Sequence, residues 1–255
     1  MTALMYHDVV ALGAADSSGF PGRDAALYKV TPETFEAHLA AIATPPAHPA
    51  QPLITFDDGG ASASAAADAL ERYGLVGHFF VTTNYIGSRG FVDEPAIRDL
   101  HHRGHIVGSH SCSHPLRMGH CSPSQLIDEW TRSRRTLEDM LGDEVRAASV
   151  PGGDFAAAVA EAAACAGITR LFTSEPTCAS RHVFGLTLIG RFTIQRWTTP
   201  ETVAGLVSGA WLPCTRQAVI WKAKKLSKRL GGEQYLKLRK LLLGHGNDVQ
   251  WGDAR

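Results

Sequence analysis

The sequence has no Cys-x-x-Cys pair, and its five cysteines (Cys112, Cys121, Cys165, Cys178 and Cys214) are an odd number without paired short spacings. That argues against a disulfide framework and for reduced thiols in a cytosolic protein. No apolar stretch reaches the roughly 18 residues that a transmembrane helix needs. The first ten residues, MTALMYHDVV, lack the basic n-region and long apolar h-region of a signal peptide. The expected location is therefore cytoplasmic. Internal repeats and long linkers are absent as well. Net charge is zero, with 25 Lys+Arg against 25 Asp+Glu, so the chain as a whole offers no basic surface for nucleic acid.

That zero is unevenly distributed. Residues 216–243 hold nine bases and a single acid, Glu233, whereas residues 1–215 hold 15 bases and 22 acids, a net charge of −7. Six of the seven lysines follow residue 220. The chain thus divides into an acidic body, 1–210, and a basic C-terminal extension, 211–255. Hydrophobic residues make up 44% of its 255 residues, which excludes disorder, collagen and coiled coil as the main class.

Within the body, strand-sized apolar runs at 2–6, 52–56, 76–83, 105–109, 146–150, 168–173 and 186–194 alternate with helical periodicity. Helix starts are marked by Thr31-Pro32, Asp93, Ser122-Pro123-Ser124-Gln125, Asp154 and Thr199-Pro200. Gly74, Gly104 and Gly167 stand where helices end. Seven βα units predict an α/β fold with mostly parallel strands, either a closed barrel or a doubly wound open sheet. Residues 11–29 and 84–92 read as loops.

Three of the strand ends carry chemistry. Thr55-Phe56-Asp57-Asp58-Gly59 places two carboxylates at the edge where βα folds gather active sites, although Asp-Asp-Gly is also an ordinary turn. His110-Ser111-Cys112-Ser113-His114 supplies two imidazoles four residues apart, and with Asp58 these make a two-His, one-carboxylate metal set. Val150-Pro151-Gly152-Gly153-Asp154 offers backbone N–H groups to an oxyanion. His101, His102, His105 and His120 read as surface or loop residues.

Taken together, these motifs resemble those of the polysaccharide deacetylases, carbohydrate esterase family 4. Gly77-His78-Phe79-Phe80-Val81 and Gly104-His105-Ile106-Val107-Gly108-Ser109 resemble the family's intervening strands, and the likeness covers roughly residues 1–195. The resemblance implies a distorted (β/α)7 barrel, here with a C-terminal helical extension. It further implies a divalent metal held by Asp58, His110 and His114. Zinc is the first choice, with cobalt, nickel or iron as alternatives. Asp57 would be the base acting on metal-bound water, and the reaction would be hydrolysis of an N-acetyl group on a sugar. The substrate would be a surface polysaccharide or its lipid-linked precursor. One backbone N–H, that of Gly152, would assist the metal in stabilising the oxyanion.

Two departures stand out. The family's third motif carries an Arg two residues before its Pro, where this chain has Ser149, and the family's late His is missing. Arg191 is the candidate replacement for that Arg. Leu4-Met5-Tyr6-His7-Asp8-Val9 resembles the N-terminal Tyr-His segment of a branch that includes bacterial poly-N-acetylglucosamine deacetylases, which implies that His7 protonates the leaving amine. Asp8 either orients His7 or starts the loop. Two alternatives stand beside this reading: a degenerate carbohydrate-binding member without activity, or a hydrolase of a non-sugar amide or O-acetyl ester. Residues 216–243 read as a helical hairpin on the barrel, or as a peripheral contact with anionic lipid.

Overall fold

A helix between successive strands carries the chain back to the same edge, so the strands come out parallel. The computed structural model describes residues 1–43 and 51–223. Its strands are β1 (Ala3–Tyr6), β2 (Asp8–Val9), β3 (Lys29–Val30), β4 (Leu53–Phe56), β5 (Gly77–Val81), β6 (Ile106–Ser109), β7 (Ala147–Ser149), β8 (Arg170–Phe172), β9 (Ser180–Val183), β10 (Leu186–Ile189) and β11 (Phe192–Thr193). Its helices are α1 (Arg23–Ala26), α2 (Pro32–Ala43), α3 (Ala63–Arg72), α4 (Glu94–His102), α5 (Pro123–Leu141), α6 (Ala157–Cys165) and α7 (Pro200–Val207). Residues 211–223 form one more helix.

Nine strands make a single sheet in the order β11-β1-β4-β5-β6-β7-β8-β10-β9, and β2 pairs with β3 apart from it. In the large sheet only β9, against β10, runs antiparallel. The run 186–194 serves both margins: Thr187–Ile189 pair with β8, while Phe192 and Thr193 pair with β1. The sheet therefore curls until its margins meet at Gly190-Arg191, giving an α/β barrel rather than an open doubly wound sheet. Gly190 has no room for a side chain, since a Cβ there would lie 2.4 Å from the Glu175 carbonyl oxygen. Gln217, on the helix 211–223, accepts the Thr193 N–H at 3.1 Å and donates to its carbonyl at 3.0 Å, covering the outer edge of β11.

Alternation along the strands sorts the core. Phe80, Ala147 and Phe172 pack inside the barrel with Leu53, Ile106 and Ile189. Leu4, Tyr6, Ile54, Phe56, Phe79 and Val107 face outward onto one set of helices. Ala148, Val150 and Leu171 meet Leu126, Trp130 and Val159 of α5 and α6.

Asp93, Ser122 and Thr199 cap their helices as expected, Ser122 in a full capping box with Gln125. Asp154 does not. Its carboxylate accepts the Gly119 N–H at 3.1 Å, and α6 begins three residues later without a side-chain cap. The preceding turn, Pro151–Gly153, delays the helix by taking Gly152 to φ 60°. The expected loop 11–29 also differs, because it contains α1 and leads directly into β3. Among the described residues no helix is long and apolar enough to cross a membrane. Residues 224–243 of the basic segment lie outside the described residues.

His78, buried on the barrel interior, titrates with its pKa lowered to about 4. Burial is the main cause and the Arg170 charge adds to it, against a hydrogen bond with the Ile54 backbone. A group neutral in the fold but protonated when unfolded removes stability as pH falls, here from about 6.5 to about 4. His78→Gln is expected to flatten the acid limb of a pH–stability curve from urea denaturation by roughly 3 kcal/mol. An unchanged limb would show that His78 is not the titrating group.

Candidate active site

The alternation that fills the barrel continues past the strand ends. Thr55 pairs with Met5 and His78 and faces inward. Asp57, two residues on, therefore faces inward too, as do His7 after β1, His110 after β6 and Ser149 at the end of β7. Asp58 breaks the pattern with φ 74°, and Ser111 and His114 are left-handed at 63° and 56°. Of the four non-glycine residues with positive φ among the described residues, three are here. Strain of this kind persists only where surrounding contacts enforce it.

The result is convergence. Asp58 Oδ1 lies 3.3 Å from His110 Nε2 and 3.4 Å from His114 Nε2. One donor atom from each of the three residues falls within 4.8 Å of the others. His110 donates Nδ1–H to the Ser149 carbonyl at 3.0 Å, which fixes the ring with Nε2 toward Asp58. Asp58 is held well below the usual carboxylate range: burial raises it, but hydrogen bonds from His110 and His114 and the nearby His7 charge outweigh that. Two imidazoles and an ionised carboxylate with their donor atoms together fit a divalent ion of the zinc type.

Glu129 of α5 holds the loop between the two histidines. Its Oε2 accepts the N–H groups of Cys112 at 2.8 Å and Ser113 at 2.9 Å, and its Oε1 accepts the Ser113 hydroxyl at 2.6 Å. Cys112 is buried, and its thiol is not part of the donor set.

Asp57 sits in a different environment. Arg191 Nη1 donates to its Oδ1 at 2.6 Å and Nη2 to its Oδ2 at 2.8 Å, and Ser149 Oγ donates to Oδ2 at 3.1 Å. Arg191 is fully buried. Its remaining donors reach Thr55 Oγ1 at 2.9 Å, Ser149 Oγ at 2.7 Å and the Thr173 carbonyl at 3.1 Å, so all five guanidinium N–H bonds are used. Phe80 and Phe172 lie 5.7 and 5.9 Å from the guanidinium carbon. Burial pushes Asp57 up, but Arg191 and the neighbouring histidines bring it below its ordinary value, so it stays ionised.

His7 reaches the same mouth, where its charge helps lower both aspartates. Its Nδ1 is buried without a hydrogen-bond partner, and its ring lies 4.9 Å from that of Tyr28. Gly152 is exposed, three residues beyond Ser149 in the turn Pro151–Gly153. Of the other histidines, His101 pairs with Asp143 at 3.6 Å, His105 accepts the Gly77 N–H at 3.0 Å, and His120 bonds Arg117 at 2.8 Å, all away from this centre.

A convergent donor set and an ion-paired carboxylate at the C-terminal mouth of a parallel barrel have the layout of a mononuclear hydrolytic centre. Residues 46–171, just under half of the chain, match the family model for polysaccharide deacetylases. YxkH of Bacillus subtilis (strain 168), named as a polysaccharide deacetylase, is 26% identical over 161 residues, 63% of this chain and 55% of the relative. The chain thus spans just over half the length of that curated relative. The solved deacetylase PplD of Streptococcus pyogenes, in complex with acetate, superposes with a TM-score of 0.66 at 20% identity, covering 79% of this chain and 95% of that one. A de-N-acetylase from Aggregatibacter actinomycetemcomitans gives 0.65 at 15% identity, over 80% and 98%. At these identities the likeness is one of fold.

Removing one partner of a buried pair leaves an uncompensated charge. Arg191→Met should therefore destabilise the protein by about 3–5 kcal/mol in chemical denaturation, with part regained in Arg191→Met/Asp57→Asn. Equal stability of the single and double variants would show that the pair is uncoupled.

Proposed function

We propose that this protein is a metal-dependent sugar N-deacetylase acting on a surface polysaccharide or its lipid-linked precursor. The observation that carries the reading is the ionised Asp57, paired with Arg191, beside the Asp58, His110 and His114 donor set. Those three residues would hold the ion, zinc being the best match to their chemistry. A divalent ion there supplies Lewis acidity toward a carbonyl and brings the pKa of water toward about 7.

The chain's own groups account for the remaining steps. Asp57 takes the proton of the attacking water. Its Oδ2 already accepts two hydrogen bonds, whereas Oδ1 accepts one, so Oδ1 retains the capacity for the proton. Arg191 fills the role of the family's missing third-motif Arg by fixing Asp57 and keeping it ionised. His7 protonates the leaving amine, in keeping with its inward position after β1. The Gly152 N–H assists the oxyanion. An intact Asp57–Arg191 pair favours an active enzyme over a carbohydrate-binding remnant. All five cysteines are free, which favours a reducing compartment.

Acetate release from N-acetylated oligosaccharides should disappear with a chelator and return with zinc. Asp57→Asn and His7→Ala should each lower kcat at least a hundredfold. In His110→Ala, zinc binding by calorimetry should be lost. Activity that ignores both chelation and Asp57→Asn sinks the mechanism.

The peripheral-membrane part of the reading draws on the helix 211–223. Trp211, Leu212, Val219 and Ile220 are 73, 71, 59 and 44% exposed there, beside the bases Arg216 and Lys222. The protein should sediment with phosphatidylglycerol-containing vesicles and not with pure phosphatidylcholine, and Val219→Glu/Ile220→Glu should abolish sedimentation. Sedimentation indifferent to both lipid charge and these changes would refute it.

A further inference from the structure

Asp8 is 1% exposed and lies outside the metal set, the base pair and the proton donor described above. Its surroundings are specific. Oδ1 accepts the hydroxyls of Ser18 at 2.5 Å and Ser62 at 2.8 Å. Ser18 Oγ in turn accepts the Ser62 N–H at 2.8 Å, and Ser62 Oγ accepts the Val9 N–H at 3.1 Å. Lys29, paired across from Asp8 in the β2–β3 ladder, brings Nζ to 3.7 Å from Oδ2. The same ammonium donates to the carbonyls of Ala15 at 2.6 Å, Phe20 at 2.8 Å, and Ser18. The carboxylate is wedged between two glycines: a Cβ on Gly19 would fall 2.2 Å from Oδ2, and one on Gly60 2.0 Å from Oδ1.

Two segments far apart in sequence meet at this carboxylate. Gly60 and Ser62 continue the turn that carries Asp57 and Asp58. Ser18 and Gly19 belong to the loop 11–28. The Gly90 carbonyl fastens the same two segments again, accepting the N–H groups of Gly19 at 2.6 Å and Ala61 at 2.9 Å. From this anchor the loop presents Phe20 to His114, with ring centroids 4.8 Å apart, and Tyr28 to His7 at 4.9 Å.

We infer that Asp8 is a positioning residue: its buried carboxylate locks the Asp57-Asp58 turn to the loop 11–28, so that the loop's aromatic rings hold His114 and His7 in place. Asp8 does not touch substrate and does not orient His7 directly. The inference rests on the proposed metal centre for its functional meaning, but the mechanical coupling stands apart from it. Asp8→Asn leaves one oxygen for the serines and removes the charge that faces Lys29. Ser18→Ala removes a single hydroxyl and is the milder variant should Asp8→Asn fold poorly. Leu12→Ala, at a position 93% exposed in the same loop, is the control.

Hydrogen–deuterium exchange read on peptides should show faster exchange in both 11–28 and 57–62 for Asp8→Asn, with a smaller change of the same kind for Ser18→Ala and none for Leu12→Ala. Zinc titrated into the chelator-treated protein should bind roughly tenfold more weakly to Asp8→Asn, the size expected when support behind the ligands is lost. A merely structural Asp8 would lower the melting temperature and leave zinc affinity at 25 °C unchanged, and that result overturns the inference. Faster exchange confined to 11–28 overturns it as well. If the unaltered protein binds no zinc, the proposed metal centre fails, and the paired or unpaired exchange of the two segments still decides the coupling.

Discussion

The ion pair between Arg191 and Asp57 constrains both the barrel and its chemistry. A guanidinium buried without exposure is tolerable only when its charge is matched and every N–H is used, and both conditions hold. Its partners come from β4, from the end of β7 and from the segment after β8, so the pair draws together strands from around the ring. Arg191 itself sits where the run 186–194 passes from pairing with β8 to pairing with β1. Closure of the barrel and placement of the candidate base are therefore one event. Gly190 permits it by letting the Glu175 carbonyl approach where a side chain would stand.

Around that pair the site is assembled from strained but supported backbone. Asp58, Ser111 and His114 adopt left-handed conformations that disfavour most residues, and Asp tolerates this better than bulky side chains. The support is visible. Ser111 N–H bonds Ser109 Oγ at 3.1 Å, His114 N–H bonds Ser111 Oγ at 3.1 Å, and Glu129 gathers the backbone between them. The two aspartates, adjacent in sequence, receive opposite treatment. One faces a fixed cation within the barrel, and the other faces two imidazoles.

The seven expected strands are all present, and Asp57, Asp58, His110 and His114 lie together as their spacing implied. Local rules were sufficient there: period-two alternation fixes which side chains face inward, and parallel strands bring their C-terminal ends to one mouth. Arg191 is the substitute that the motif comparison suggests, and the structure places it on Asp57. Glu129 was invisible, because a glutamate on an amphipathic helix looks like any solvated residue until the loop it caps is in view. The network of Ser18, Ser62 and Lys29 was equally hidden, since its bonds span 10 to 54 residues and obey no short spacing. Asp154 misled because a capping residue was expected next to a helix, and two left-handed glycines displaced the helix from it. The antiparallel β9, mostly exposed, carries no hydrophobic alternation to announce it.

A barrel presents many strands to a single interior point, and Ser149 and Arg191 share one such point. The family resemblance implies an arginine where this chain has Ser149, whose hydroxyl lies 2.7 Å from the guanidinium that arrives from the other side. Phe80 and Phe172 flank that guanidinium. Side chains at positions 149 and 191 thus reach the same interior point from two different segments of the chain. Read motif by motif, the sequence lacks an arginine at one place and holds a candidate for it 42 residues later. In space Arg191 fills the point beside Ser149, and chains of this architecture are better compared by which interior points are filled than by which residues match.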